Sequence, residues 1–386
     1  MKIGIDKISF HVPNYYLDMA ELANARNTDP DKFHIGLGQD KMSVIPKTQD
    51  IVTLGASAAK KILSDEDKQT IDMVIVGTES GIDFSKSSAV IIHRLLGIQP
   101  FARSFEIKHA CYGGTAALQQ AYNYIACHPQ RKVLVITTDI AKYGLKTAGE
   151  PTQGCGAVAM LISADPCLLT FMNDSVFYSE DIYDFWRPVG HHYPLVDGQL
   201  SNEVYINSFV KVWKQNLKQN QLQPSDYIAL TFHLPYTKMG KKALKAIFPE
   251  ISENDQERFQ HYYEQSTIYS RQTGNLYTGS LYLGLISLLD NSQTLQAGDR
   301  IGLFSYGSGA VSEFFSMELV EGYEKYLMTN EHQALLDNRQ SLSITDYEKI
   351  FEDVLPQDEN EYLFNDTTLF AIQKMMGNIR YYKIDD

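Results

Sequence analysis

GCGAVAMLISADP, residues 154–166, returns in altered form as GSGAVSEFFSMEL at 307–319. A β-branched apolar run precedes each copy, KVLVITTD (132–139) in one case and RIGLFSYG (300–307) in the other. One step further out stand IDMVIVGT (71–78) and YIALTFHL (227–234). Bounded by Gly, Asp or Lys, these four runs read as sheet strands buried on both faces. Helical periods lie between them at 87–97, 114–126, 240–248 and 279–290. Both G-x-G-A-V copies read as tight glycine turns feeding a strand. Because element order repeats along with the motif, the chain reads as two similarly built α/β halves, 1–166 and 167–386. Two segments fall outside the repeat. Residues 181–210, rich in Pro, Gly and aromatics, read as a long ordered insertion near a site. Within 320–386, SITDYEKIFED (343–353) and TLFAIQKMMGNI (368–379) read as helices, an insertion or cover over the second half.

Bulk properties exclude several classes of function. The 386 residues are 44% apolar and 21% charged, the balance of a soluble globular protein. A formal charge of -13 disfavours bulk nucleic-acid binding but leaves room for a local basic patch. No apolar run approaches the ~18 residues of a membrane span, and MKIGIDKISFHVP lacks a secretory apolar segment. Four cysteines in so long a chain are no disulfide framework and have no paired zinc-ligand spacing. The expectation is a reduced, cytoplasmic protein with no nucleic-acid or membrane partner and no metal.

In parallel α/β sheets, ligands sit beyond the carboxyl ends of strands. Glu79 follows the strand at 71–78, His233 closes the strand at 227–232, and Cys111 lies between FEIKHA and a glycine-led helix. Each has a plain structural alternative: a helix-capping carboxylate, a strand-end histidine held by backbone, a buried inert thiol. The functional alternatives are a carboxyl base of raised pKa, a carbonyl-polarising imidazole, and a nucleophile whose thiolate is favoured by the helix N-terminus. Asn275, in TGNLY, either caps the next helix or offers its amide to a bound carbonyl. Lys238, Lys241, Lys242 and Lys245 form either a solvated face or an anchor for the phosphates of a nucleotide-like carrier.

Taken together, ACYGG around Cys111, GTES ending in the Glu79 region, HLPY with His233, GN with Asn275 and YGSG at 306–309 resemble the 3-hydroxy-3-methylglutaryl-CoA synthases, in the short bacterial form. DIAKYGLKTAGEPTQGCGAVAM (139–160) and the inserted DFWRP…YPLVDG (184–198) carry the same resemblance, which spans nearly the whole chain. It implies a thiolase-like duplicated α/β fold in five layers, αβαβα, and a homodimer. It implies a Claisen condensation in the mevalonate route: acetyl-CoA, acetoacetyl-CoA and water give HMG-CoA and free CoA. No separate cofactor is implied, since the CoA thioesters are substrates. By position, Cys111 is the residue acetylated, Glu79 the base, and His233 with Asn275 the group that binds the acetoacetyl carbonyl. Tyr143 lines the acyl pocket, the Cys111 and Ser308 N–H groups hold the thioester oxygen, and Lys238 and Lys242 lie toward the CoA phosphates. Position 155 departs from the family pattern, with Cys where a small residue such as alanine is expected. The nearest rival resemblance is a β-ketoacyl carrier-protein synthase III, for which Cys111, His233 and Asn275 suffice and Glu79 is incidental.

Overall fold

In the computed structural model, which describes residues 1–383, strand Ile71–Gly77 sends alternate side chains to two cores. Met73 and Ile75 join one, Val74 and Val76 the other. Strand Lys132–Ala141 does the same with Val133 and Val135 against Leu134 and Ile136. Period-two alternation with both faces apolar is why these stretches look continuously hydrophobic in sequence.

The repeat is visible in the hydrogen bonding. In the first half, Ile71–Gly77 runs parallel to Lys132–Ala141, which runs antiparallel to Gly154–Ala164, which runs antiparallel to Ile3–His11. In the second, Ala229–Phe232 runs parallel to Arg300–Gly307, then Val311–Leu319 and Leu169–Phe171 follow, each antiparallel to the last. Order and direction match strand for strand. The first half adds Arg103–Ile107 at its edge, parallel to Ile71–Gly77. Short pairing of Gly4 and Ile5 with Thr170 and Leu169 joins the halves into one sheet.

Helices Gly113–Cys127 and Ser280–Asn291 form the middle layer. Ala117, Leu118 and Ala121 of one, with Leu281, Leu285 and Leu288 of the other, share a core with inner-facing residues of both sets of strands. Helices Ile51–Lys60 and Ser88–Leu96 cover the outer face of the first half. Helices Gly198–Asn220 and Lys238–Ile247 cover that of the second. The result is the αβαβα layering of the thiolase-like fold.

Four expectations are corrected. The first G-x-G-A-V is not a turn: strand Gly154–Ala164 begins at Gly154, opposite Ala141. Its glycine is required for another reason, since a Cβ there would lie 2.5 Å from the Asn275 nitrogen. The second copy does contain a turn, between strands ending at Gly307 and starting at Val311. Residues 368–379 are not helical: Ile372–Met376 and Ile379–Tyr382 form a hairpin whose loop, Gly377-Asn378, has φ of 55° and 63°. Positive φ at both loop residues is the type I′ geometry that suits the right-handed strand twist. The segment from 340 onward covers the first half, not the second. Phe370, Ile372, Met375 and Tyr382 pack with Ile71 and Val74, and Tyr347 and Phe351 pack with Leu17 and Met42. Finally, residues 181–210 divide. A small hairpin pairs Phe185–Trp186 with Leu195–Val196, and helix Gly198–Asn220 starts immediately after, capped by Asp197.

Candidate active site

Glu79, after strand Ile71–Gly77, meets Cys111 just ahead of helix Gly113–Cys127, and His233, after strand Ala229–Phe232, lines the same cleft as Cys111. Close approach makes this possible. A Cβ at Gly114 would stand 2.6 Å from the Thr137 methyl and 2.8 Å from the Thr278 carbonyl oxygen. Only a glycine lets the helix start descend onto the strand ends of one half and the loop of the other. Just ahead of it, Ala110 takes a left-handed φ of 39°, turning the chain into Cys111.

Cys111 Sγ donates to Glu79 Oε1 at 3.0 Å. Burial, then the charge of Glu79 beside it, raises the Cys111 pKa well above the ordinary thiol value. The resting group is therefore a thiol, not the thiolate expected from the helix N-terminus; burial and the neighbouring carboxylates outweigh the dipole. Glu79 is also raised, by burial first and by Asp139 second, with the Cys111 contact and Arg187 opposing. The pair thus consists of an acid and a base each displaced toward its neutral form.

Asp139, fully buried at the end of its strand, orders this corner. It accepts from Thr78 Oγ1 and the Glu79 N–H at 2.9 Å each, and from Ser80 Oγ at 2.8 Å. Thr278 of the second half gives it a backbone N–H at 3.1 Å and its hydroxyl. One carboxylate therefore fixes the Glu79 backbone and ties both halves together. Nothing in the sequence pattern singled it out, because an Asp ending an apolar run reads as a strand terminator.

A cleft of about 400 Å³ opens onto Cys111 and is lined also by Tyr143, His233, Asn275 and Ser308. His233 is 3% exposed, and burial depresses its pKa to about 3, so its imidazole is neutral at physiological pH. Its backbone N–H bonds Phe304 O at 2.8 Å, and its carbonyl accepts from Tyr205 at 2.5 Å. Asn275 combines the two roles open to it. Its Oδ1 accepts from the Tyr277 N–H at 2.8 Å and Ser280 Oγ at 2.9 Å, holding the turn into the next helix. Its Nδ2 is directed to Tyr143 Oη at 3.4 Å, in the cleft wall. Tyr143, Phe185 and Tyr277 meet edge to face, with centroids 6.1 to 6.2 Å apart. Phe185 and Tyr277 were not candidates from sequence; their aromatic character becomes informative only once the insertion folds back.

The lysines are less central. Lys242 Nζ donates to Tyr236 Oη at 2.7 Å, and Tyr236 lines the cleft. Lys238 Nζ reaches Ile35 O at 3.1 Å. Helix Lys238–Ile247 buries Met239, Gly240, Ala243, Leu244 and Ile247, which leaves its lysines on the opposite, outward face. Neither Lys238 nor Lys242 lines the cleft, and Met239 is the residue of that helix that does.

Residues 1–167 match the family described as hydroxymethylglutaryl-coenzyme A synthase N terminal, and 173–258 and 245–383 match its C-terminal counterpart. The chain belongs to the hydroxymethylglutaryl-CoA synthase family. It is 61% identical over 383 residues to the hydroxymethylglutaryl-CoA synthase of Enterococcus faecalis, covering 99% of this chain and 100% of that one. Identity to the polyketide biosynthesis 3-hydroxy-3-methylglutaryl-ACP synthase of Bacillus subtilis is 32%, over 90% of this chain and 88% of the relative. An HMG-CoA synthase crystallised with CoA superposes with a TM-score of 0.97 at 46% identity, each chain covered fully. As a member of this synthase family the chain is an acyltransferase, and its reaction is the Claisen condensation on CoA thioesters that yields HMG-CoA.

Proposed function

We propose that this synthase condenses acetyl-CoA with acetoacetyl-CoA and water through an acetyl-Cys111 intermediate. The observation that carries the reading is the 3.0 Å contact of Cys111 Sγ with Glu79, at the mouth of a cleft that also holds His233 and Asn275. Residues 1–166 supply Glu79 and Cys111, and 167–386 supply His233 and Asn275.

In the first step the sulfur attacks the acetyl thioester while Glu79 takes the Sγ proton and passes it to the departing CoA sulfur. The carboxylate so restored then removes a proton from the acetyl methyl group. The new carbon–carbon bond forms at the acetoacetyl ketone carbon. The neutral His233 imidazole gives an N–H hydrogen bond to that ketone oxygen, assisted by the Asn275 amide, and the resulting alkoxide takes the proton that Glu79 removed from the methyl group, which restores the Glu79 carboxylate. Backbone N–H groups of Cys111 and Ser308 stabilise the thioester oxyanion, each such donor being worth about 3 kcal/mol in comparable sites. Water finally releases the product from Cys111 with Glu79 assisting. Tyr143, Phe185 and Tyr277 wall the acyl end, and Lys238 and Lys242 act from the surface on the CoA phosphates.

A reading in which Glu79 is incidental does not account for its contact with the nucleophile. Acceptance of acetoacetyl-CoA in preference to an acetoacetyl carrier protein tests the class of acceptor thioester; preference for the carrier protein overturns it. The 61% identity to a CoA-dependent synthase, against 32% to a carrier-dependent one, supports CoA.

The assembly proposed is a homodimer in the cytoplasm. Strand Arg103–Ile107 ends the sheet with one side unpaired, beside Phe101 at 91% exposure, and such edges invite pairing with a second copy. Sedimentation that gives a monomer at micromolar concentration contradicts the dimer. The mouse relative named as cytoplasmic supports the location.

A further inference from the structure

Helix Gly198–Asn220 is preceded by a strap, residues 184–197, that returns from the second half to the cleft. Its foot is firmly held. Buried Asp184 accepts from Tyr306 Oη at 2.7 Å and from the Gly309 N–H at 2.9 Å, and its carbonyl accepts from the Asp197 N–H at 3.0 Å. The next residue, Phe185, packs against Tyr143 and Tyr277. Two residues on, the exposed Arg187 donates from Nη2 to the carbonyl oxygen of Glu79, 108 positions earlier in the chain. The strap is therefore bonded to the backbone of the carboxylate that accepts from the nucleophile.

The charges around Glu79 are unevenly distributed. Asp139 faces it from strand Lys132–Ala141, Cys111 from the turn before helix Gly113–Cys127, and Tyr143 and Tyr277 from the cleft wall. All of these are neutral or anionic. Arg187 is the cation in that set, and among the described residues it forms no ion pair of its own. Two buried carboxyl groups in one corner oppose each other's ionisation. A carboxyl that cannot ionise cannot take a proton, so a base in this corner needs a nearby positive charge.

We propose that Arg187 is a positioning residue for the condensing base: it holds the Glu79 backbone through the carbonyl and supplies the positive charge that lets the Glu79 carboxylate form. This rests on the reading of Glu79 as the base. The strap's seating and the base's availability are then one event, because the residue that closes the strap onto the first half is also the residue that favours the active ionic form. Arginine suits the task, since its fork reaches a carbonyl while its delocalised charge remains fully ionised.

The test is the pH dependence of kcat/KM for condensation in the wild type, R187Q and R187K. The wild-type rate falls at acid pH as Glu79 protonates. In R187Q this limb moves upward by about half to one pH unit, the effect of one charge acting across a few ångströms near the surface. R187K keeps the charge and holds the limb near its wild-type position. A merely structural contact would lower the rate in both variants without moving the limb, and an unmoved limb in R187Q overturns the proposal. If turnover is too weak to follow, the pH dependence of Cys111 alkylation reports the same Glu79 ionisation, since the Glu79 charge raises the thiol. Glu79→Gln separates the two levels of the argument. Normal condensation by E79Q defeats the base reading itself; an inactive E79Q with an unmoved limb in R187Q defeats only the role of Arg187.

Discussion

Replacing Glu79 by Gln should make Cys111 a stronger acid. The two side chains meet at 3.0 Å, and the Glu79 charge is among the causes that hold the thiol protonated. At an effective dielectric of about 40, between the protein and water values, two unit charges at that separation repel by roughly 3 kcal/mol. Each pKa unit corresponds to about 1.4 kcal/mol, so removing the charge lowers the thiol pKa by one to two units. The amide introduced by E79Q adds an N–H that can donate to the thiolate, which acts in the same direction. The assay is the rate of iodoacetamide alkylation at Cys111 against pH, read on the Cys111 peptide so that Cys127, Cys155 and Cys167 do not contribute. Burial lifts Glu79 to about 8, so the full effect is expected only above pH 9, where Glu79 is ionised and alkylation of E79Q should be at least about 5-fold faster than that of the wild type; at pH 8 the difference narrows to about 2-fold. Where Glu79 is itself protonated, at acid pH, the two curves should converge. An alkylation midpoint in E79Q equal to or above that of the wild type refutes the coupling of these two groups.

Further outcomes are expected elsewhere in the molecule. Gly154→Ala places a methyl 2.5 Å from the Asn275 nitrogen, so it should destabilise the fold by about 1–3 kcal/mol and slow condensation more than acetylation. Thermal unfolding and the two partial reactions measure this. His233 and His11 are both depressed to about 3 from 6.5, chiefly by burial. The unfolded chain binds these protons first, so their stabilisation is complete above pH 6.5 and is lost as pH falls toward 3, by up to ~1.4 kcal/mol per unit for each histidine. The fall in unfolding free energy between pH 7 and 5 should be shallower in His11→Gln. The His233 ring protons should show no titration shift between pH 8 and 5 by NMR. Asn378→Ala strains a loop residue at φ 63° and should cost about 1 kcal/mol of stability, with turnover unchanged because the hairpin lies on the outer face of the first half.

The duplicated strand order was legible because each central strand is apolar on both faces and ends in a polar residue with little local alternative. Glu79, Cys111 and His233 were legible as strand-end positions, though their plain and chemical readings stayed balanced until both halves were placed together. The hairpin at 372–382 was misread because IQKMMGNI fits a helical period as well as an alternating one. The decisive feature, Gly-Asn with positive φ at both residues, is a turn signal that outweighs periodicity. The first G-x-G-A-V misled for a related reason. Glycine there serves close approach of residues 274–275 and not a turn, and only the tertiary contact distinguishes the two. Asp139 and Arg187 escaped notice because their partners are at least 59 residues away, at Thr78, Ser80 and the Glu79 carbonyl. The acidity of Cys111 was likewise set by long-range neighbours and not by its own helix.

The central claim is that Cys111 carries the acetyl group that Glu79 then activates. The direct measurement is mass spectrometry of protein quenched after acetyl-CoA alone, followed by a chase with acetoacetyl-CoA. The account predicts one acetyl group on the Cys111 peptide in the wild type, and the same group in E79Q on longer incubation because its Sγ proton leaves without the Glu79 carboxylate; the chase removes it as HMG-CoA in the wild type and leaves it in place in E79Q. Acetyl found on another residue, or discharged as HMG-CoA at the wild-type rate by E79Q, would contradict it.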